Sequence, residues 1–107
     1  MNRRAFLIAS AGAVACGRAG ARLNVLNWSD YVAPDTIPNF EREFSVRVCY
    51  GTYESVPEML AKVLSGNSGW DVVFPSAEYI QPMRDMGLLA QMHHEWLPNL
   101  DALDTPF

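Results

Sequence analysis

Residues 46–64 read VRVCYGTYESVPEMLAKVL, and two periods follow one another inside this stretch. VRVCYGT (46–52) is rich in β-branched and aromatic residues, the composition of a strand. At Ser55 the pattern changes. Ser55-Val56-Pro57-Glu58 has the Ser-x-x-Glu spacing of a capping box, with proline where a first helical turn tolerates it. Val56, Met59, Leu60, Val63 and Leu64 then recur at i, i+3, i+4, i+7 and i+8, which is one face of a helix. Ser65-Gly66-Asn67-Ser68-Gly69 closes that helix as a loop. A strand that passes at once into a capped helix is the repeating half-unit of an α/β fold.

The same half-unit stands on either side. Upstream, LNVLNW (23–28) alternates as a strand does. Pro34-Asp35 opens a helix with Asp35 as its N-cap, Pro38 in the first turn, and Ile37, Phe40 and Phe44 on one apolar face. Downstream, WDVVF (70–74) is continuously apolar after Asp71, as in a strand buried on both faces. PSAEYIQPMRDMG (75–87) predicts a helix closed by Gly87, with Pro82 requiring either a start near Tyr79 or a kink. LLAQM (88–92) reads as a short strand or an extended connection, and HHEWLPNLDALDTPF (93–107) has no period and reads as loop. The expected class is therefore α/β, a parallel sheet with right-handed crossovers and flanking helices. Three strands and three helices cannot cover both sheet faces. A domain of this size buries only about 60–65% of its unfolded surface. The chain reads as cut short.

Residues 1–22 are expected to lie outside that fold, as an export signal and short linker. Arg3 and Arg4 precede an uncharged, mostly apolar run, Ala5–Ala15, which ends in small residues. A run of 11 residues is too short for a bilayer, which needs about 20. Arg3-Arg4-Ala5-Phe6-Leu7 resembles a twin-arginine signal. Ala13-Val14-Ala15-Cys16 resembles a lipobox, in which Cys16 would be lipidated and anchor the mature protein, although the usual leucine three residues earlier is absent. The alternative is plain cleavage near Ala15 or Ala21, with Cys16 discarded. Either way the expected location is periplasmic.

From Cys16 onward, six Lys and Arg stand against twelve Asp and Glu, a net charge of −6. That balance repels phosphate backbones, so nucleic acid is excluded as a partner. Cys49 reads as a small buried apolar residue in a strand, and no disulfide framework exists.

Ligands of open parallel sheets bind at the carboxyl ends of the strands. Here those ends run into NWSDY (27–31), TYES (52–55) and PSAEY (75–79). They place Trp28, Ser29, Asp30, Tyr31, Tyr53, Glu54, Ser55, Ser76, Glu78 and Tyr79 along one edge, rich in rings, carboxylates and hydroxyls and without Lys or Arg. The content disfavours phosphate, sulfate or carboxylate ligands. It favours a cation held by carboxylates and by ring faces, each ring worth about 0.5–2 kcal/mol. Each junction also has a plainer reading: Glu54 and Ser55 serve a helix N-terminus, Tyr53 packs on its strand, Ser76 is an N-cap, and Trp28 is core. Enzymatic patterns are missing: no Gly-rich phosphate loop and no Ser-His-Asp or Cys-His order. His93-His94-Glu95 lacks the i, i+4 spacing of a zinc helix, so neither metal nor cofactor is expected.

At these junctions the sequence resembles the periplasmic substrate-binding proteins of spermidine/putrescine ABC transporters. The resemblance runs through LNVLNWSDYVAPDTIPNFEREF, VRVCYGTYES, EMLAKVLSGNSGWDVVFPSAEYI and MRDMGLL, in order and spacing. It implies that residues 23–107 are the N-terminal part of lobe 1 of a two-lobed α/β protein, likewise not an enzyme, that closes around a polyamine. It also implies delivery to an ABC permease of the inner membrane by a monomeric binding protein. By the same resemblance Trp28, Ser29, Asp30 and Tyr31 form the first ligand-contacting loop. Ser76 lines the cleft, and Tyr79 is an aromatic position close by. Glu78 falls where relatives have something neutral or aromatic. Val56-Pro57 replaces the common Asn-Glu after YES, Ser45 stands where glycine is usual, and Cys49 is unusual. The polyamine cage would need further carboxylates and rings from a second lobe. Two other readings stand beside this one: an exported enzyme acting on a cationic small molecule, and a truncated product without binding of its own.

Overall fold

A computed structural model describes residues 20–65 and 69–103; residues 1–19, with the twin-arginine motif and Cys16, lie outside the described residues. The elements are β1 (Arg22–Trp28), α1 (Thr36–Phe44), β2 (Arg47–Tyr53), α2 (Val56–Leu64), β3 (Val72–Val73) and α3 (Ile80–Asp85), joined by 3₁₀ turns at Ala77–Tyr79, His94–Trp96 and Pro98–Ala102. They fall into two compact units, Met1–Ser76 and Ala77–Phe107. No helix among the described residues is long and apolar enough to cross a membrane.

In the first unit the three strands form a parallel sheet in the order β2-β1-β3, with β1 at its centre. The register runs from Arg22 opposite Arg47 to Trp28 opposite Tyr53, while β3 pairs only Val72 with Val25 and Val73 with Leu26. Alternation puts Asn24, Leu26 and Trp28 on one face with Cys49, Gly51 and Tyr53. Leu26 and Tyr53, with Met59 of α2, are the fully buried side chains of this unit. Trp70 closes over the strand at Gly51, where a Cβ would stand 2.5 Å from the indole. The Asp71 carboxylate holds β3 in place by accepting from the Asn24 backbone N–H at 2.8 Å and from its side-chain amide at 3.0 Å.

The expected caps are met unevenly. Ser55 accepts from the Glu58 N–H at 3.3 Å, and the Glu58 carboxylate accepts from the Glu54 N–H at 3.0 Å, so the box closes one residue earlier than the standard pattern. That bond, and then Lys62 at 3.2 Å, hold the Glu58 carboxyl below its usual range. Asp35 sits at the N-cap of α1 but its side chain caps nothing. Its carboxylate instead accepts from Asn39 at 3.5 Å, because a helical ψ of −9°, where a capping residue is extended, turns it away from the free N–H groups.

The expected apolar face of α1 is present, but α1 buries no residue and Phe44 is 56% exposed. Ile37 and Phe40 instead overhang an apolar groove of about 230 Å³ with Leu23, Val25, Val48 and Val72. Residues 70–74 are not a strand buried on both faces. Only Val72–Val73 pair, and Phe74 is 50% exposed, because β3 stands at the edge of the sheet.

The second unit begins with the Ala77–Tyr79 turn. Because α3 starts at Ile80, Pro82 falls in its first turn and no kink is needed. Gly87, at φ 71°, ends the helix: its N–H donates to Arg84 at 2.9 Å and the Leu88 N–H to Met83 at 3.0 Å, a Schellman closure. Residues 88–92 hold neither strand nor helix, with a bend at Leu89. Residues 93–103, expected as loop, instead contain the turns His94–Trp96 and Pro98–Ala102, each too short to show a period.

Two substitutions should move stability in opposite directions in denaturant unfolding. Gly51→Ala should cost about 1–3 kcal/mol by forcing Trp70 off the strand, with a shift in tryptophan emission. Ser45 holds φ 53° at the end of α1, and Ser45→Gly should gain about 1 kcal/mol by relieving that left-handed backbone. Equal unfolding midpoints for all three proteins would contradict both assignments.

Candidate functional site

The parallel register delivers Trp28 and Tyr53 to the carboxyl ends of neighbouring strands at the same level. Their ring centroids lie 4.5 Å apart at a 53° tilt, and Trp28 in turn lies 6.3 Å from Tyr31. Tyr53 is 1% exposed, and its hydroxyl donates to the Phe74 carbonyl just beyond β3. Burial, and secondarily the Tyr31 phenol, push the Tyr53 pKa above the ordinary tyrosine value.

The loop after β1 is drawn in by the same residue. The Ser29 N–H donates to the Tyr53 carbonyl at 3.0 Å, and the Ser29 hydroxyl donates to it at 3.4 Å. Ser29 thereby keeps its lone pairs as acceptors while its proton is occupied. Asp30 follows at φ 61°, a left-handed conformation that aspartate tolerates better than most residues, with its carboxylate in solvent. Tyr31 is 72% exposed.

Between the ends of β1 and β3 lies a depression of about 540 Å³, lined by Asn27, Trp28, Tyr31, Val32 and residues 74–76 (Phe74, Pro75, Ser76). In the order β2-β1-β3 this is the point from which the connections diverge, the usual ligand crevice of an open parallel sheet. No basic side chain lines it. Of the residues expected at the site, Trp28, Tyr31 and Ser76 line the depression together, and Ser29 and Asp30 belong to the loop joining the first two. Glu78 and Tyr79 belong to the second unit, in its first turn, with Glu78 exposed and Tyr79 half-buried.

Asn27 and Phe74 were not singled out by their sequence positions. Asn27 is only 5% exposed, and its side-chain carbonyl accepts from the Trp28 N–H at 2.7 Å. A polar residue among the apolar positions of β1 was the available signal. Among the described residues no three His, Cys, Asp or Glu side chains cluster as metal ligands. His93 instead pairs with Glu95 at 3.2 Å and stacks on Trp96 at 4.2 Å.

This arrangement has relatives. The chain is 37% identical over 82 residues to the putrescine-binding periplasmic protein PotF of Escherichia coli, covering 77% of this chain and 22% of that one. It is 42% identical over 82 residues to the putrescine-binding periplasmic protein SpuD of Pseudomonas aeruginosa, with the same coverage. Among solved structures, the spermidine/putrescine ABC transporter substrate-binding protein PotD of Streptococcus pneumoniae matches with a TM-score of 0.77 and 27% identity, covering 80% of this chain and 27% of that one. A spermidine/putrescine ABC transporter protein of Listeria monocytogenes matches with a TM-score of 0.75 and 35% identity, covering 79% and 26%. No protein-family model matches the chain. The chain thus spans about a fifth of the length of these curated relatives. In sequence and in α/β fold, the resemblance to the periplasmic polyamine-binding proteins holds over a segment of them.

The Tyr53 environment predicts a pH effect. The folded chain favours the protonated phenol, so this contribution to stability is complete below pH 10 and is lost as pH rises through the raised pKa. Unfolding free energy measured across the alkaline range should fall more steeply for the wild type than for Tyr53→Phe. Parallel curves would remove the assignment.

Proposed function

We propose that this chain, a relative of the periplasmic polyamine-binding proteins over most of its length, supplies part of the ligand cleft of an exported binding component that serves an ABC permease. The observation that carries this reading is the ring-lined depression beside Asp30, free of basic side chains, at the end of β1. Trp28 and Tyr31 bracket the alkyl chain and face its cationic end, as ring quadrupoles favour. Asp30 pairs with an ammonium group, while Ser29 and Ser76 accept hydrogen bonds from it. No bond is made or broken.

In this reading residues 23–107 are the N-terminal part of one lobe, and residues 1–22 are the export signal and linker. Cys16 is either the lipidated first mature residue or is lost with the signal. The protein works in the periplasm as a monomer.

The depression is open to water, and solvent-exposed ion pairs contribute only about 0–1 kcal/mol. Binding by this chain alone is therefore expected in the millimolar range, about −4 kcal/mol. In an NMR titration, putrescine should perturb the Trp28 indole saturably, and the neutral isostere butanediol should not. Asp30→Asn keeps a residue that accepts the left-handed backbone and should weaken the response up to about fivefold. Where a cleft closes over the pair, Asp30→Ala should cost about 2–5 kcal/mol. A response to butanediol equal to that for putrescine, or none to putrescine well above millimolar concentration, would sink the reading.

A further inference from the structure

We propose that Tyr53 is a positioning residue that sets the width of the ligand crevice and the attitude of Trp28, a role that rests on the polyamine reading of that crevice. Tyr53 is buried, so it does not itself face a ligand. What distinguishes it from an ordinary core tyrosine is where its contacts go. Its ring lies against Trp28, its carbonyl takes both Ser29 donors, and its hydroxyl donates to the Phe74 carbonyl.

These contacts join the exits of all three strands. In the order β2-β1-β3 the central strand separates Tyr53 from Phe74, so the phenol reaches across the end of β1 to hold the edge strand. That edge needs a tie, because β3 has only two ladder residues. The crevice lies between the exits of β1 and β3, with Trp28 and Tyr31 on one side and Phe74, Pro75 and Ser76 on the other. The length of one tyrosine side chain therefore spaces the two walls. Its ring face limits how far the Trp28 indole can rotate. A hydrophobic residue of similar volume would fill the core but make only part of this tie, since it carries no donor for the Phe74 carbonyl.

The test uses the full 107-residue chain and two variants, with putrescine as the probe. Tyr53→Phe removes the donor and keeps the ring; Tyr53→Leu removes both. Urea unfolding first establishes that each variant is folded under the titration conditions. Tyr53→Phe is expected to leave the Trp28 indole resonance in place, to shift and expose the Ser76 amide, and to raise the putrescine dissociation constant about three- to tenfold. Tyr53→Leu is expected to move the Trp28 indole as well, with the Trp70 indole unchanged, and to weaken binding further.

A generally destabilised core would lower the unfolding midpoint without these selective shifts. If both folded variants keep the wild-type Trp28 and Ser76 signals and bind putrescine as the wild type does, the positioning role is wrong. If the wild type gives no putrescine response, the polyamine reading fails instead, and the Trp28 and Ser76 signals of the free proteins still decide the role of Tyr53. Should Tyr53→Leu not fold, Tyr53→Phe alone carries the same decision through the Ser76 amide.

Discussion

The in-register parallel pairing of β1 with β2 is the constraint on which the rest of the first unit depends. Because Arg22 meets Arg47, Trp28 meets Tyr53 with nothing left over, and both aromatic residues leave the sheet at one level. A slip by one residue between the two strands would put Leu26 and Tyr53 on opposite faces and dismantle the core and the crevice together. Side-chain bonds around the sheet guard this register. Glu41 accepts from the Val48 N–H at 2.8 Å at the start of β2, and Asp71 holds Asn24 from the other side of β1.

Much of this was legible in the sequence because it is local. The apolar period of α2, its Ser55 cap and the glycine that ends α3 each follow from spacing within a few residues. What failed was non-local. The apolar run at 70–74 cannot reveal that its outer edge is unpaired, so continuous hydrophobicity reads as burial on both faces. Asp35 has the right identity for a cap, and only the backbone angle shows that its side chain is turned away. The short 3₁₀ turns after His93 leave no period to find.

The candidate site divides in the same way. Topology alone brings the exits of parallel strands to one edge, which is why Trp28, Tyr31 and Ser76 can be named before any coordinates are known. The part played by Tyr53 is hidden, since its hydroxyl finds a carbonyl 21 residues further along the chain. Asn27 is hidden for another reason. Its amide caps the peptide of its own neighbour, a local device that looks in sequence like an interruption of the strand.

The brevity of β3 also has a consequence in time. β1 and β2 share seven ladder pairs and meet through a loop of modest length, Ser29 and Tyr53 being 24 residues apart. β3 adds two pairs across a separation of 47 residues, from Asn24 to Asp71. Loop-closure entropy and the small return in hydrogen bonds make it the last strand to dock and the first to fray. The crevice is therefore expected to follow a seam in the hydrogen-exchange order, with slow amides along one wall and fast ones along the other. A ligand bridging that seam would slow the fast wall most, and would be felt first as order in the edge strand.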